Sequence, residues 1–192
     1  DINDTDSVKS IVAKFYDEFS VIDILVNNAA ILDDCLLVSI FGGKIKKHSI
    51  ERWNQTIGTN LTSYFVFARE VTEKMLLKRT KGLIINISSI SSAGNSGQSS
   101  YAASKAAVDS LTVTWSKELS KFGIRVAGVS PGMTDTSMPK DSMNDNMLKE
   151  WIGKTPINRM GTPQEISHSV KYIIENDFFC GRTIEIDGGL RM

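Results

Sequence analysis

The chain has only two cysteines and two histidines in 192 residues, and its 22 acidic side chains match its 22 basic ones. Cys35 and Cys180 stand far apart without metal-type spacing, so a disulfide framework is not expected. His48 and His168 lack a partner at ligand spacing, which leaves no metal site to predict. A net charge of zero offers no basic excess for a phosphate backbone, arguing against general nucleic-acid binding. No apolar run approaches the roughly 20 residues that cross a bilayer. The acidic opening Asp1-Ile2-Asn3-Asp4-Thr5-Asp6 is the opposite of a secretory or transit segment. What remains is 41% hydrophobic and 23% charged, the composition of a globular cytoplasmic domain handling small molecules.

Short β-branched runs alternate with longer helical patterns. Strands are expected at 21–26, 83–87, 124–129 and 183–186, with helices at 5–19, 50–78, 101–121 and 163–175. Strict alternation predicts an α/β fold: a doubly wound parallel sheet with helices on both faces, in one domain over 1–192. Thr162-Pro163-Gln164-Glu165 reads as a capping box with Pro at the first helical position, and Ser49 as a second N-cap. Gly123 is placed to end its helix in a left-handed turn. The polar, Met-rich stretch 132–160 is long enough to be a functional lid, or a variable surface excursion.

The chemistry concentrates around Tyr101-Ala102-Ala103-Ser104-Lys105. Four residues apart on a helix, the phenol and the ammonium share a face. A unit charge ~4 Å away at an effective dielectric of ~20 is worth ~4 kcal/mol, about three pKa units. That would carry a phenol from ~10 to near 7, where proton exchange is effective. Alone, the spacing is common among ordinary helices. Three strand ends add to it: Asn27-Asn28-Ala29-Ala30, Ser88-Ser89 and Ser130-Pro131-Gly132 follow their strands at the carboxyl edge, where open α/β sheets bind ligands. Asn60 is awkward inside a helical pattern, either solvated or locally hydrogen-bonded, or else holding a water.

Together with Asp187-Gly188-Gly189, these segments resemble the short-chain dehydrogenase/reductase family along the whole chain. The resemblance implies a Rossmann-like fold and hydride transfer between a nicotinamide cofactor, NAD or NADP, and a carbonyl or secondary alcohol. It implies Tyr101 as acid/base and Lys105 as the residue that lowers its pKa and binds the nicotinamide ribose. Asn60 would be the proton-relay residue, and Ser89 the substrate-orienting hydroxyl, with Ser88 the alternative if loop 90–100 carries no deletion. Asp1 and Ile2 resemble the adenine contacts, Asn27 and Ala29 the backbone along the adenosine. Pro131, Gly132 and Thr134 resemble the carboxamide contacts, and Thr136 a hydroxyl near the pyrophosphate or carboxamide. The stretches 94–101 and 181–189 are most similar to 3-oxoacyl-[acyl-carrier-protein] reductases; sugar and secondary-alcohol dehydrogenases share them. A homodimer or homotetramer is implied, built on the helices around 50–78 and 101–121.

One family feature is missing. The Gly-x3-Gly-x-Gly fingerprint occurs nowhere among the 14 glycines. The sheet is therefore expected to lack the first βα units, which hold the pyrophosphate and select NAD or NADP. Either the chain is a portion of a longer reductase, or it is a non-catalytic protein on a reductase core. Residues 35–47 form a connection longer than usual, read as a solvated loop or as a basic landing site (Lys44, Lys46, Lys47) for an acidic partner such as acyl carrier protein. Asp33-Asp34 reads as a solvated turn, and Trp115 as core or subunit contact.

Overall fold

The computed structural model describes residues 1–142 and 144–192. Helix α1 (Thr5–Phe19) opens at Asp4, whose carboxylate accepts the otherwise orphaned N–H groups of Asp6 and Ser7. Val8, Val12 and Tyr16, four apart, give it one buried stripe. Strand β1 (Ile24–Asn27) follows, then a hairpin of β2 (Val38–Phe41) and β3 (Lys44–Lys47). Next come α2 (Ile50–Ile57), a π-helical turn (Gly58–Thr62) and α3 (Ser63–Lys78). Strand β4 (Leu83–Ile87) leads through a 3-10 turn (Ile90–Ala93) to α4 (Ser99–Leu119) and β5 (Arg125–Pro131). Helices α5 (Ser137–Ser142), α6 (Asp145–Lys154) and α7 (Pro163–Glu175) precede β6 (Thr183–Ile186).

The main sheet has the order β1-β4-β5-β6, and every pairing is parallel. Alternate residues of its central strands face opposite ways. Ile84 and Val126 pack with α1, α3 and α4, among them Val12, Val71, Met75 and Trp115. Leu83, Ile85, Ala127 and Val129 pack with Ile166, Val170 and Ile173 of α7. Both faces are covered, as the alternation of elements predicts, and Trp115 belongs to the core at 8% exposure. On β1, only Leu25 joins the core; Ile24 and Val26 are exposed.

Five sequence expectations need correction. The 50–78 pattern is not one helix: the N–H of Ser63 reaches back five residues to the Gly58 carbonyl, and a π turn separates α2 from α3. The 35–47 connection is not a loop. Val38-Ser39-Ile40-Phe41 pairs antiparallel with Lys44-Ile45-Lys46-Lys47, and Gly42 and Gly43 turn between them at φ of 57° and 74°. A two-residue turn with both φ positive is the hairpin geometry that glycine permits. The first strand starts at Ile24 rather than 21, and the fourth helix at Ser99 rather than 101. Asp33 is no solvated turn residue, because its carboxylate takes two hydrogen bonds from the Arg52 guanidinium. The Thr162–Glu165 capping box and the left-handed Gly123 stand as read.

Candidate active site

The carboxyl ends of β1, β4 and β5 open into one cavity of about 800 Å³. Parallel strands leave their last residues on a common rim, so segments distant in sequence meet there. Asn28-Ala29-Ala30, Ser88-Ser89 and Pro131-Gly132 form three sides, the first two turns of α4 bring Tyr101 and Lys105, and Trp151 of α6 lines the cavity from the 132–160 stretch. That stretch borders the cavity, as a lid would.

Tyr101 is 9% exposed and Lys105 is 1%. Burial pushes the Tyr101 phenol above its usual value; a hydrogen bond with Ser89 draws it down, and the Asp34 charge raises it. The lowering towards neutrality expected from Lys105 is not the balance found. The Lys105 ammonium donates to the Ile87 carbonyl at 2.7 Å and to the Tyr64 hydroxyl at 3.4 Å, and lies 5.8 Å from the centroid of the Tyr101 ring. Lys105 is itself shifted: burial brings its pKa from 10.5 to about 8, with the Asp109 charge opposing the fall.

The two serines divide. The Ser88 hydroxyl turns back to donate to the Lys105 carbonyl at 3.3 Å. Ser89 caps the 3-10 turn, accepting from the Ser91 N–H at 3.1 Å, and bonds to the phenol of Tyr101. Ser89 is therefore the hydroxyl beside the phenol, although both serines line the cavity.

Asn60, wholly buried in the π turn, spends its carboxamide on other backbone. Its Oδ1 accepts the Ile31 N–H at 2.8 Å, and its Nδ2 donates to the Ile31 carbonyl at 2.9 Å and to Ser104 Oγ at 3.4 Å. The side chain thus fastens the π turn to the segment after β1. Asn27 is likewise committed: its Nδ2 donates to Asn86 Oδ1, and Asn86 donates to Thr112 Oγ1, a buried amide chain tying β1 to β4 and α4.

Among the residues expected at the cofactor, Ala29, Pro131, Gly132, Thr134 and Thr136 line the cavity with Tyr101 and Lys105. Asp1, Ile2 and Asn27 do not. Asp1 instead accepts the Asn3 N–H through its own carboxylate at 2.9 Å. Sequence reasoning missed Tyr64 and Gln98. Gln98, 4% exposed, borders the cavity and donates to Asp34 Oδ2 at 3.3 Å. Gln98 lies in the 94–101 stretch, which suggested no role for it; Tyr64 reads as one more apolar position of its helix, and only the fold brings its hydroxyl to Lys105. Among the described residues, no group of His, Cys, Asp and Glu could hold a metal.

Comparison with known proteins follows this geometry. A family model described as enoyl-(acyl carrier protein) reductase matches residues 1–191. The chain is 37% identical to the 3-oxoacyl-[acyl-carrier-protein] reductase FabG of Chlamydia muridarum, over 99% of this chain and 74% of that protein. It is 36% identical to the FabG of Thermotoga maritima, over 98% of this chain and 74% of the relative. Against the Vibrio cholerae FabG it is 35% identical, over 100% of this chain and 75% of the relative.

Proposed function

Because this chain belongs to the short-chain dehydrogenase/reductase family of nicotinamide-dependent oxidoreductases, we propose that it reduces the 3-oxo group of an acyl thioester, with Tyr101 as the proton donor. The observation that carries this reading is the contact of Ser89 with the buried Tyr101 phenol inside the shared cavity. A carbonyl oxygen placed against both hydroxyls is polarised by Ser89 and protonated by Tyr101. The raised pKa suits that direction, since the phenol carries its proton throughout the neutral range. Lys105, charged below about pH 8, favours the phenolate left behind and is proposed to bind the ribose hydroxyls.

The residues present fit the nicotinamide half of the cofactor. Ala29 and Ala30 leave room for a flat ligand along β1, and Thr134 and Thr136, whose hydroxyls donate to the Gly132 and Thr134 carbonyls, keep oxygen lone pairs in the same cavity lining. Bound there, the cofactor supplies the hydride. Asn60 keeps the β1 rim in register with α4 through Ile31 and Ser104. NADP or NAD remains the expected pair, with Asp1 and Ile2 proposed at its adenine and the Asn27 backbone along its adenosine. The acyl-carrier-protein names of the relatives support a carrier-linked thioester, and the exposed Lys44, Lys46 and Lys47 of β3 are proposed to face that carrier. The apolar Phe65 and Leu77 of α3 and Val113 of α4, all exposed, support a homodimer or homotetramer. A cytoplasmic location is part of the same proposal; no helix among the described residues is long and apolar enough to cross a membrane.

A substrate panel tests the reading. NADPH or NADH oxidation is followed with an acetoacetyl thioester, a 2-enoyl thioester (the chemistry in the matching model's name), and sugar ketones. The 3-oxoacyl thioester is expected to be turned over fastest; a preference for the enoyl or sugar substrate would overturn the assignment. Ser89→Ala is expected to lower kcat about 100-fold, and Ser88→Ala less than about threefold. The reverse ranking would transfer the orienting role to Ser88.

A further inference from the structure

Lys105 is held by a partner outside the expected constellation. Tyr64, on the first turn of α3, is 2% exposed, and its hydroxyl lies 3.4 Å from the Lys105 ammonium. The same hydroxyl donates to the Ile87 carbonyl at 3.4 Å, and the ammonium donates to that carbonyl at 2.7 Å. Three groups from three elements, α3, α4 and the end of β4, therefore close one triangle. The Tyr64 ring adds a second contact, with the ammonium 5.2 Å from its centroid. Beyond these groups the ammonium, 1% exposed, has among the described residues only the Tyr101 ring, its centroid 5.8 Å away, and the charge of Asp109 on its own helix, so a lost hydrogen-bond acceptor would be costly.

We propose that Tyr64 is a positioning residue: its hydroxyl accepts from the Lys105 ammonium, pins it to the last residue of β4, and so keeps Lys105 charged at neutral pH beside the site. The arrangement is a clamp rather than a proton path. A phenol can accept from the ammonium only with its own proton turned elsewhere, and here that proton points to Ile87, a carbonyl with none to pass on. Burial also pushes the Tyr64 phenol well above its usual value, so it does not ionise in the working range. The clamp matters because Lys105 stands close to its switching point, at about 8. A lost acceptor would discharge it in the neutral range. Its bearing on turnover rests on the catalytic reading of Tyr101 and Lys105 given above; the clamp itself does not.

The test is therefore made on the lysine. In the full chain labelled with ¹³Cε-lysine, the Lys105 signal is assigned by its loss in Lys105→Met and titrated in the parent and in Tyr64→Phe, which keeps the ring and removes only the hydroxyl. The Lys105 midpoint is expected to fall by about one pH unit in Tyr64→Phe, as removal of one hydrogen bond to a charged group implies. An unchanged or higher midpoint overturns the proposal. Should Tyr64→Phe fail to fold, 3-fluorotyrosine at position 64 keeps the hydroxyl but weakens it as an acceptor. A smaller fall is then expected, and no fall overturns the proposal. Turnover separates this idea from the one beneath it: a parent chain inactive on every carbonyl contradicts the catalytic reading, whereas the Lys105 titration judges the clamp alone.

Discussion

At the scale of single residues, the site is dominated by the cost of burying charge. Lys105 titrates at about 8 instead of 10.5 because its ammonium is out of water. Below about pH 8 both folded and unfolded chains hold that proton, and burial then costs the fold about 3 kcal/mol. Between about 8 and 10.5 the unfolded chain holds a proton the folded one has released, so this contribution makes stability rise with pH across that window. Lys105→Met is accordingly expected to raise unfolding free energy at pH 7 by up to about 3 kcal/mol while abolishing turnover. Denaturant titrations at pH 7 and pH 10.5 check this, since the gain should shrink at the higher pH. Destabilisation at both would show that the lysine supports the fold. The shared face of Tyr101 and Lys105 was legible because helical periodicity sets it, and their roles from the strand ends and the family resemblance around them. The direction of the phenol's shift was not: it depends on burial and on an ammonium turned towards Ile87, which spacing does not encode.

At the scale of elements, local signals were legible and long-range ones were not. The Thr162–Glu165 capping box lies within four residues and was read correctly. The hairpin carried its own signal, two glycines between alternating runs, but its exposed Ile40, Phe41 and Ile45 look unlike a half-buried strand pair. The π turn had no such local mark. It exists where Asn60 meets Ile31, and that partner sits on another segment. Asn60→Leu, close in volume, removes the acceptor and donor for both Ile31 backbone groups. A loss of about 3 kcal/mol is expected, measured by chemical denaturation, because buried backbone groups would be left unpaired. A loss under about 1 kcal/mol would mean that water replaces the carboxamide and that the π turn does not depend on it.

At the scale of the molecule, the fold class followed from alternation alone, and the cavity from the rule that parallel strands gather ligands at their carboxyl ends. The 132–160 stretch stood out by its length, yet weak periodicity hid the helix that brings Trp151 to the cavity. The central claim concerns the whole assembly of strand ends and α4: one buried phenol delivers the proton to a carbonyl reduced by the cofactor. The direct measurement is the rate of NADPH or NADH oxidation by an acetoacetyl thioester, compared between the parent chain and Tyr101→Phe at pH 7. The expected result is measurable parent turnover and a fall of about 1000-fold in the variant, in the range for loss of a general acid. Equal rates in the two would contradict the account.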